Sequence, residues 1–196
     1  MEEQKSWPAA VFNDLYASNI DPWQFGGDYE QEKYDATIAL LGERRFQSAL
    51  EIGCSTGVLT RRLAPRCRSL LAIDFAPAAL AKARANCADL PHVRFQEAAI
   101  PRGFPWGLFD LIVLSEVLYF LDPVDLRATA GHVAISMAPN AAVPMVNYLG
   151  PTDSPCGGDE AANLFIAALD PDVIPVLQRR TPFYRLDLLG PPPQSD

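Results

Sequence analysis

Nowhere does this 196-residue chain reach the ~18 consecutive apolar residues that a membrane-spanning helix needs. Its first residues, Met-Glu-Glu-Gln-Lys-Ser-Trp, lack a positive stretch followed by an apolar run, so no secretory leader is expected. Cysteine is sparse: Cys54, Cys67, Cys87 and Cys156 show no C-x-x-C spacing and read as reduced thiols of a cytoplasmic protein. Histidine is sparser. His92 and His132 stand far apart and join no Cys/His cluster, so no metal site is expected. Lys and Arg number 16 against 24 Asp and Glu, with no basic cluster, and the net charge of −8 argues against a nucleic-acid partner. Such a surface better suits a neutral or cationic small molecule. There is no internal repeat and no break in composition, so residues 1–190 are expected to form one domain, with 191–196 a flexible tail.

One further absence is the informative one. The chain has no G-x-G-x-x-G, the pattern that brings bare backbone against a pyrophosphate. In its place Glu51-Ile52-Gly53-Cys54-Ser55-Thr56-Gly57 follows the short apolar run Phe46–Ile52 and precedes Val58, Leu59 and Leu63 at helical spacing. Gly53–Gly57 is therefore a strand-to-helix turn, the place where an open α/β sheet binds ligands. A carboxylate at the strand end, Glu51, would repel a pyrophosphate but suits an ammonium or a sulfonium. A second apolar strand, Leu70–Ile73, ends in Asp74, 21 residues after Gly53, the interval at which an acid accepts hydrogen bonds from ribose hydroxyls. The competing role for Asp74 is a helix cap ahead of Pro77, and for the glycines a plain tight turn.

Leu50-Glu51-Ile52-Gly53-Cys54-Ser55-Thr56-Gly57 and Ala72-Ile73-Asp74-Phe75 resemble the first and second motifs of class I S-adenosylmethionine-dependent methyltransferases. Asp21-Pro22-Trp23, Tyr29-Glu30, Lys33-Tyr34 and Leu114–Tyr119 resemble, within them, the nodulation protein S branch, N-methyltransferases of chito-oligosaccharides. Ser55 departs from the pattern, which has a third glycine there, and Ala99 stands where an acid often receives the adenine amino group. The resemblance implies a doubly wound, Rossmann-like, mostly parallel seven-stranded α/β sheet with a C-terminal antiparallel hairpin, and S-adenosyl-L-methionine as cofactor. It implies cofactor contacts from Glu51, Gly53, Cys54, Ser55, Gly57, Asp74, Phe75, Ala99, Ile100 and Ser115. Residues 1–45 would form a helical cover, with Trp23, Phe25, Tyr29 and Lys33 closing over the methionine end. Methyl transfer to a nitrogen or oxygen of a small molecule would follow, giving S-adenosyl-L-homocysteine. Glu116, leaving the fourth strand, is the candidate general base, and Tyr119 a candidate for the acceptor pocket. A non-catalytic cofactor-binding subunit and a nucleotide-dependent dehydrogenase are the rival readings.

Along the chain, Trp7, Val11, Phe12, Leu15 and Tyr16 predict a first helix and Tyr29–Leu41 a second, closed by Gly42. Strands are expected near 47–53, 69–74, 92–96, 109–115 and 142–148, and helices near 57–64, 77–87, 123–137 and 159–168. The crossover after the third strand holds Pro101, Gly103, Pro105 and Gly107, leaving room for a turn at most. Pro144 predicts a broken or late fifth strand. Val173–Arg180 and Phe183–Leu189, split by Thr181-Pro182, read as the closing hairpin. The polar loop Gly150–Asp159 is the candidate carrier of substrate specificity.

Overall fold

A computed structural model describes residues 5–18, 26–169 and 171–191. The expectations for Asp21-Pro22-Trp23, Phe25 and the tail beyond residue 191 lie outside the described residues. The chain divides into two compact units, Pro8–Ala99 and Ile100 onward, the latter joined by the residues before Pro8.

In the first unit, α1 (Ala9–Ser18) and α2 (Asp28–Leu40) precede β1 (Ala49–Ile52), α3 (Val58–Leu63), β2 (Leu70–Asp74), α4 (Pro77–Asn86) and β3 (Val93–Glu97). The three strands are parallel in the order β3-β2-β1, with Leu50 beside Leu71 and Ile73 beside Gln96. All four β1 residues are buried, as an apolar run covered on both faces requires. Phe46, which the sequence suggests as strand, makes one isolated bridge to Cys67. Trp7 does not join α1: Pro8 pushes the residue before it out of helical geometry, and Trp7 belongs to the other unit. On α2 the buried positions are Glu30, Lys33, Tyr34, Thr37 and Leu40, a partly polar stripe that apolar spacing missed.

The second unit contains β4 (Phe109–Ser115), α5 (Pro123–Ser136), β5 (Met137–Tyr148), α6 (Gly158–Ala168), β6 (Ile174–Arg180) and β7 (Tyr184–Gly190). Its strands run β4-β5-β7-β6; β4 and β5 are parallel, while β7 is antiparallel to both β5 and β6, the expected hairpin. Asp122 caps α5, its side chain accepting from Val124 and Asp125 N–H ahead of Pro123 at N1. Residues 6 and 7 dock here: Ser6 Oγ donates to Asp125 at 2.6 Å, and the Trp7 ring lies 5.0 Å from that of Phe120. The fifth strand corrects the sequence reading. It starts at Met137, not 142, and passes unbroken through Pro144, which costs a single ladder hydrogen bond. The shorter reading reflects a bulge: Met137 to Ala142 on β5 spans only Phe109 to Leu111 on β4, and Asn140 sits within it at φ 61°.

The two units supply seven strands in all, and the fold is the doubly wound, Rossmann-like mixed sheet that the alternation of elements predicts. Among the described residues no helix is long and apolar enough to cross a membrane.

Candidate functional site

The β1–α3 turn is built by two glycines and one serine with left-handed backbone: Gly53 at φ 77°, Ser55 at φ 50° and Gly57 at φ 82°. At Gly57 a Cβ would also come within 3.0 Å of the Ala83 backbone, so the glycine serves both curvature and the packing of α4. The N–H groups of Gly53 and Cys54 donate to the Ile73 carbonyl at 2.8 and 3.0 Å, fastening the turn to the end of β2.

Two buried acids face this turn. Asp74 is 7% exposed; Oδ2 accepts from Ser55 N–H and Oδ1 from Ala76 N–H, both at 2.9 Å. Burial pushes its carboxyl up, opposed by those backbone donors. Asp74 is not the N-cap of α4, a place taken by Ala76 with no side-chain cap, so its helix-cap role is not realised. A carboxylate offers about four acceptor positions, and the Ser55 and Ala76 N–H groups, with a contribution from the Phe75 N–H, leave some of Asp74's open. Glu51 is more extreme. It is 1% exposed, and its Oε2 has no hydrogen-bond partner among the described residues. Burial pushes its carboxyl up to about 8, with Thr60 pulling downward and the Asp74 charge adding a smaller rise.

The Cys54 side chain packs in a cluster with Ala72, Leu80 and Phe95. Burial first, then the charges of Glu51 and Asp74, push its thiol up, which disfavours a thiolate nucleophile there. Phe75 is half-buried and meets Phe12 of α1 edge-on, centroids 4.8 Å apart. Tyr16, also on α1, places its hydroxyl 2.5 Å from Ser55 Oγ. Sequence reasoning counted Tyr16 only as part of an apolar helix face; the hint was a hydroxyl-bearing residue in the glycine position at 55. Tyr29 lies on α2 with Lys33 Nζ 5.0 Å from its ring centre. That ammonium is buried against Glu30 at 2.6 Å, so the expected part of Lys33 in closing over the methionine end competes with an ion pair. Ala99 is exposed just beyond β3.

The remaining candidates lie in the second unit, which Ile100 opens. Ser115 ends β4. Glu116 follows with φ 60°, an uncommon conformation for a residue with a side chain. Its N–H donates to Val146, and its Oε2 accepts from the Tyr119 hydroxyl at 2.6 Å and from Tyr148 N–H at 3.1 Å. Glu116 thus ties the ends of β4 and β5 together. Beside it Asn147 is wholly buried, with neither amide atom partnered among the described residues. His132 is half-buried and stacks on Phe104, ring centres 5.4 Å apart.

A family model for nodulation protein S matches residues 11–143. Nodulation protein S of Sinorhizobium fredii is 38% identical over 119 residues, covering 60% of this chain and 55% of the relative. That of Bradyrhizobium diazoefficiens is 35% identical over 124 residues, 61% and 59% respectively, so the chain spans about half the length of the curated relatives it matches. The crystal structure of N-methyltransferase NodS from Bradyrhizobium japonicum WM9 in complex with S-adenosyl-L-homocysteine superposes with a TM-score of 0.82. The two are 23% identical over 94% of this chain and 98% of that one, a likeness of fold.

Proposed function

Because the chain belongs to the nodulation protein S family, we propose that it binds S-adenosyl-L-methionine at the β1–α3 turn and methylates a nitrogen or oxygen of a small molecule. The observation that carries the reading is the Glu51 carboxyl, wholly buried with an unpartnered oxygen and a neighbouring acid. An orphaned buried acid is costly, and a cationic ligand is the partner that would offset the cost. A phosphate-bearing dinucleotide would aggravate it, which disfavours the dehydrogenase reading. The residues fit the cofactor: Asp74 would hold ribose hydroxyls with its remaining acceptor positions, and Glu51 would face the positive methionine end. Gly53, Gly57 and the Ser55 backbone would allow close approach, while Phe75 would border the adenine, with Ala99 and Ile100 contributing backbone and apolar contact.

When bound, the cofactor supplies a methyl group on a positively charged sulfur. What the chain adds is orientation and exclusion of water; holding a nucleophile in line behind the methyl is worth roughly 7–11 kcal/mol, against 10²- to 10⁴-fold for a general base. Glu116 is the proposed acceptor-side residue, held in place by Tyr119 and Tyr148. Both claims can be checked by calorimetry and by transfer of a radiolabelled methyl group to a panel of small amines. S-adenosyl-L-homocysteine should bind the wild type, and Asp74→Ala should weaken it on the order of 10²-fold, since charged hydrogen bonds are lost. Glu116→Gln should lower turnover while leaving that affinity intact. Absence of binding at millimolar ligand would sink the reading, and binding without transfer to any acceptor would leave a non-catalytic module.

A further inference from the structure

The side chain at position 55 is what distinguishes this turn from one built wholly on glycine. Ser55 occupies left-handed backbone that a glycine would adopt freely, and it brings a hydroxyl to the exact place where α1 crosses. Tyr16, only 7% exposed, meets that hydroxyl at 2.5 Å; either oxygen can donate. One turn earlier on the same helix face, Phe12 packs edge-on against Phe75, the residue following Asp74. Both contacts fasten helix α1 to the two loops that carry the candidate ligand contacts. The polar point ties straight into them, because the Ser55 N–H is itself donated to Asp74.

We propose that Tyr16 and Ser55 form a latch that holds α1 across the β1–α3 turn and sets how fast a ligand enters and leaves there. The proposal rests on the reading of that turn as the cofactor site. Tyr16 and Ser55 are positioning residues in it, acting through α1 and through the Asp74 carboxylate. Opening α1 must break the hydroxyl pair, whereas the Phe12–Phe75 contact is non-directional and can slide. Removing either hydroxyl should therefore raise the population of the open helix by the factor one net hydrogen bond is worth, roughly 2- to 12-fold. Removing both should add nothing, since the two hydroxyls serve one bond.

The test uses the full chain as wild type, Tyr16→Phe, Ser55→Ala and the double variant. Ser55→Ala retains the side-chain carbon and the left-handed backbone and deletes only the oxygen. Hydrogen exchange of the peptide covering residues 9–18 should accelerate roughly 2- to 12-fold in each single variant and no further in the double. Peptides from α5 serve as the internal control and should not change. The dissociation rate of S-adenosyl-L-homocysteine, by stopped flow, should rise by the same factor. Unchanged α1 exchange in both single variants, multiplicative effects in the double, or equal acceleration in α5 would each overturn the latch. Altered α1 exchange with an unaltered dissociation rate would overturn its role in ligand exchange. Failure of the wild type to bind the ligand would instead remove the cofactor reading, and the exchange data would then decide the latch alone.

Discussion

Replacing Glu51 with glutamine should stabilise the protein above pH 5, and more so as the pH rises. In the unfolded chain this carboxyl titrates near its ordinary value of 4.5; in the folded protein burial holds it at about 8. Between those values the native state carries one proton that the unfolded state has lost, so native stability falls as pH rises through the window. The slope is ~1.36 kcal/mol per pH unit, which by pH 7 accumulates to ~3 kcal/mol and levels off above pH 8. A glutamine of nearly the same shape does not titrate, and its altered hydrogen bonding contributes an offset independent of pH. Urea unfolding of both proteins at pH 5, 6, 7 and 8 isolates the effect, because titrating groups that do not interact with Glu51 cancel in the difference. The stability difference should open steadily in favour of Glu51→Gln. A difference flat across that range would refute the claim that the site holds an uncompensated acid.

Three further outcomes follow from the same contacts. Binding of a cationic ligand beside Glu51 should expel its proton, about 0.9 per site at pH 7 for a group titrating near 8; calorimetry in buffers of differing ionisation enthalpy measures this, and Glu51→Gln should show none. Gly158→Ala should cost upwards of about 3 kcal/mol in chemical unfolding, because the added Cβ would lie 1.8 Å from the Tyr148 carbonyl oxygen at the start of α6 and only backbone movement can relieve that. Asp187→Ala should cost about 1–3 kcal/mol by the same measurement, since Arg185 loses the carboxylate at 2.8 Å and Gln178 its acceptor, while Asn163 and Asp159 still face the guanidinium at 2.7 and 3.6 Å.

The alternation of apolar runs with helical patterns gave the order of elements, because each strand buried on both faces must read as an unbroken apolar run. β4 was read to the residue, Phe109–Ser115. The closing hairpin was also legible, from the change to alternating character over Tyr184–Leu188. What sequence spacing could not show was how polar groups are shared. The buried stripe of α2 includes Lys33 and Glu30 because each neutralises the other, and a pattern search for apolar residues is blind to such a pair. Pro144 misled for a related reason: a proline in an inner strand is costly by one hydrogen bond, and the packing of Val143, Met145 and Val146 outweighs that. At the site itself Glu51 and Asp74 were legible from position. Tyr16 was not, because its contact spans 39 residues and depends on a left-handed serine that no periodicity announces.

Buried charge is handled in two ways along this chain, and the difference separates scaffold from site. Asp187, wholly buried, accepts from Gln178 at 2.7 Å and faces Arg185 at 2.8 and 3.0 Å; Lys33 donates to Glu30 at 2.6 Å. In each case the desolvation cost is offset by an opposite charge or donor belonging to the chain, as groups that only hold a fold together require. Among the described residues Glu51 has no such cation, and the charge that acts on it, Asp74, is of its own sign. Nothing in the packing of β1 calls for an acid at that position, since its three other residues are apolar and buried. A group that lowers stability by its ionisation and does no structural work where it sits gains its counterpart only from outside the chain, and the counterpart must be positive. That argument supports the proposed site at the β1–α3 turn without appeal to any relative, and it stands or falls with the pH dependence of Glu51→Gln.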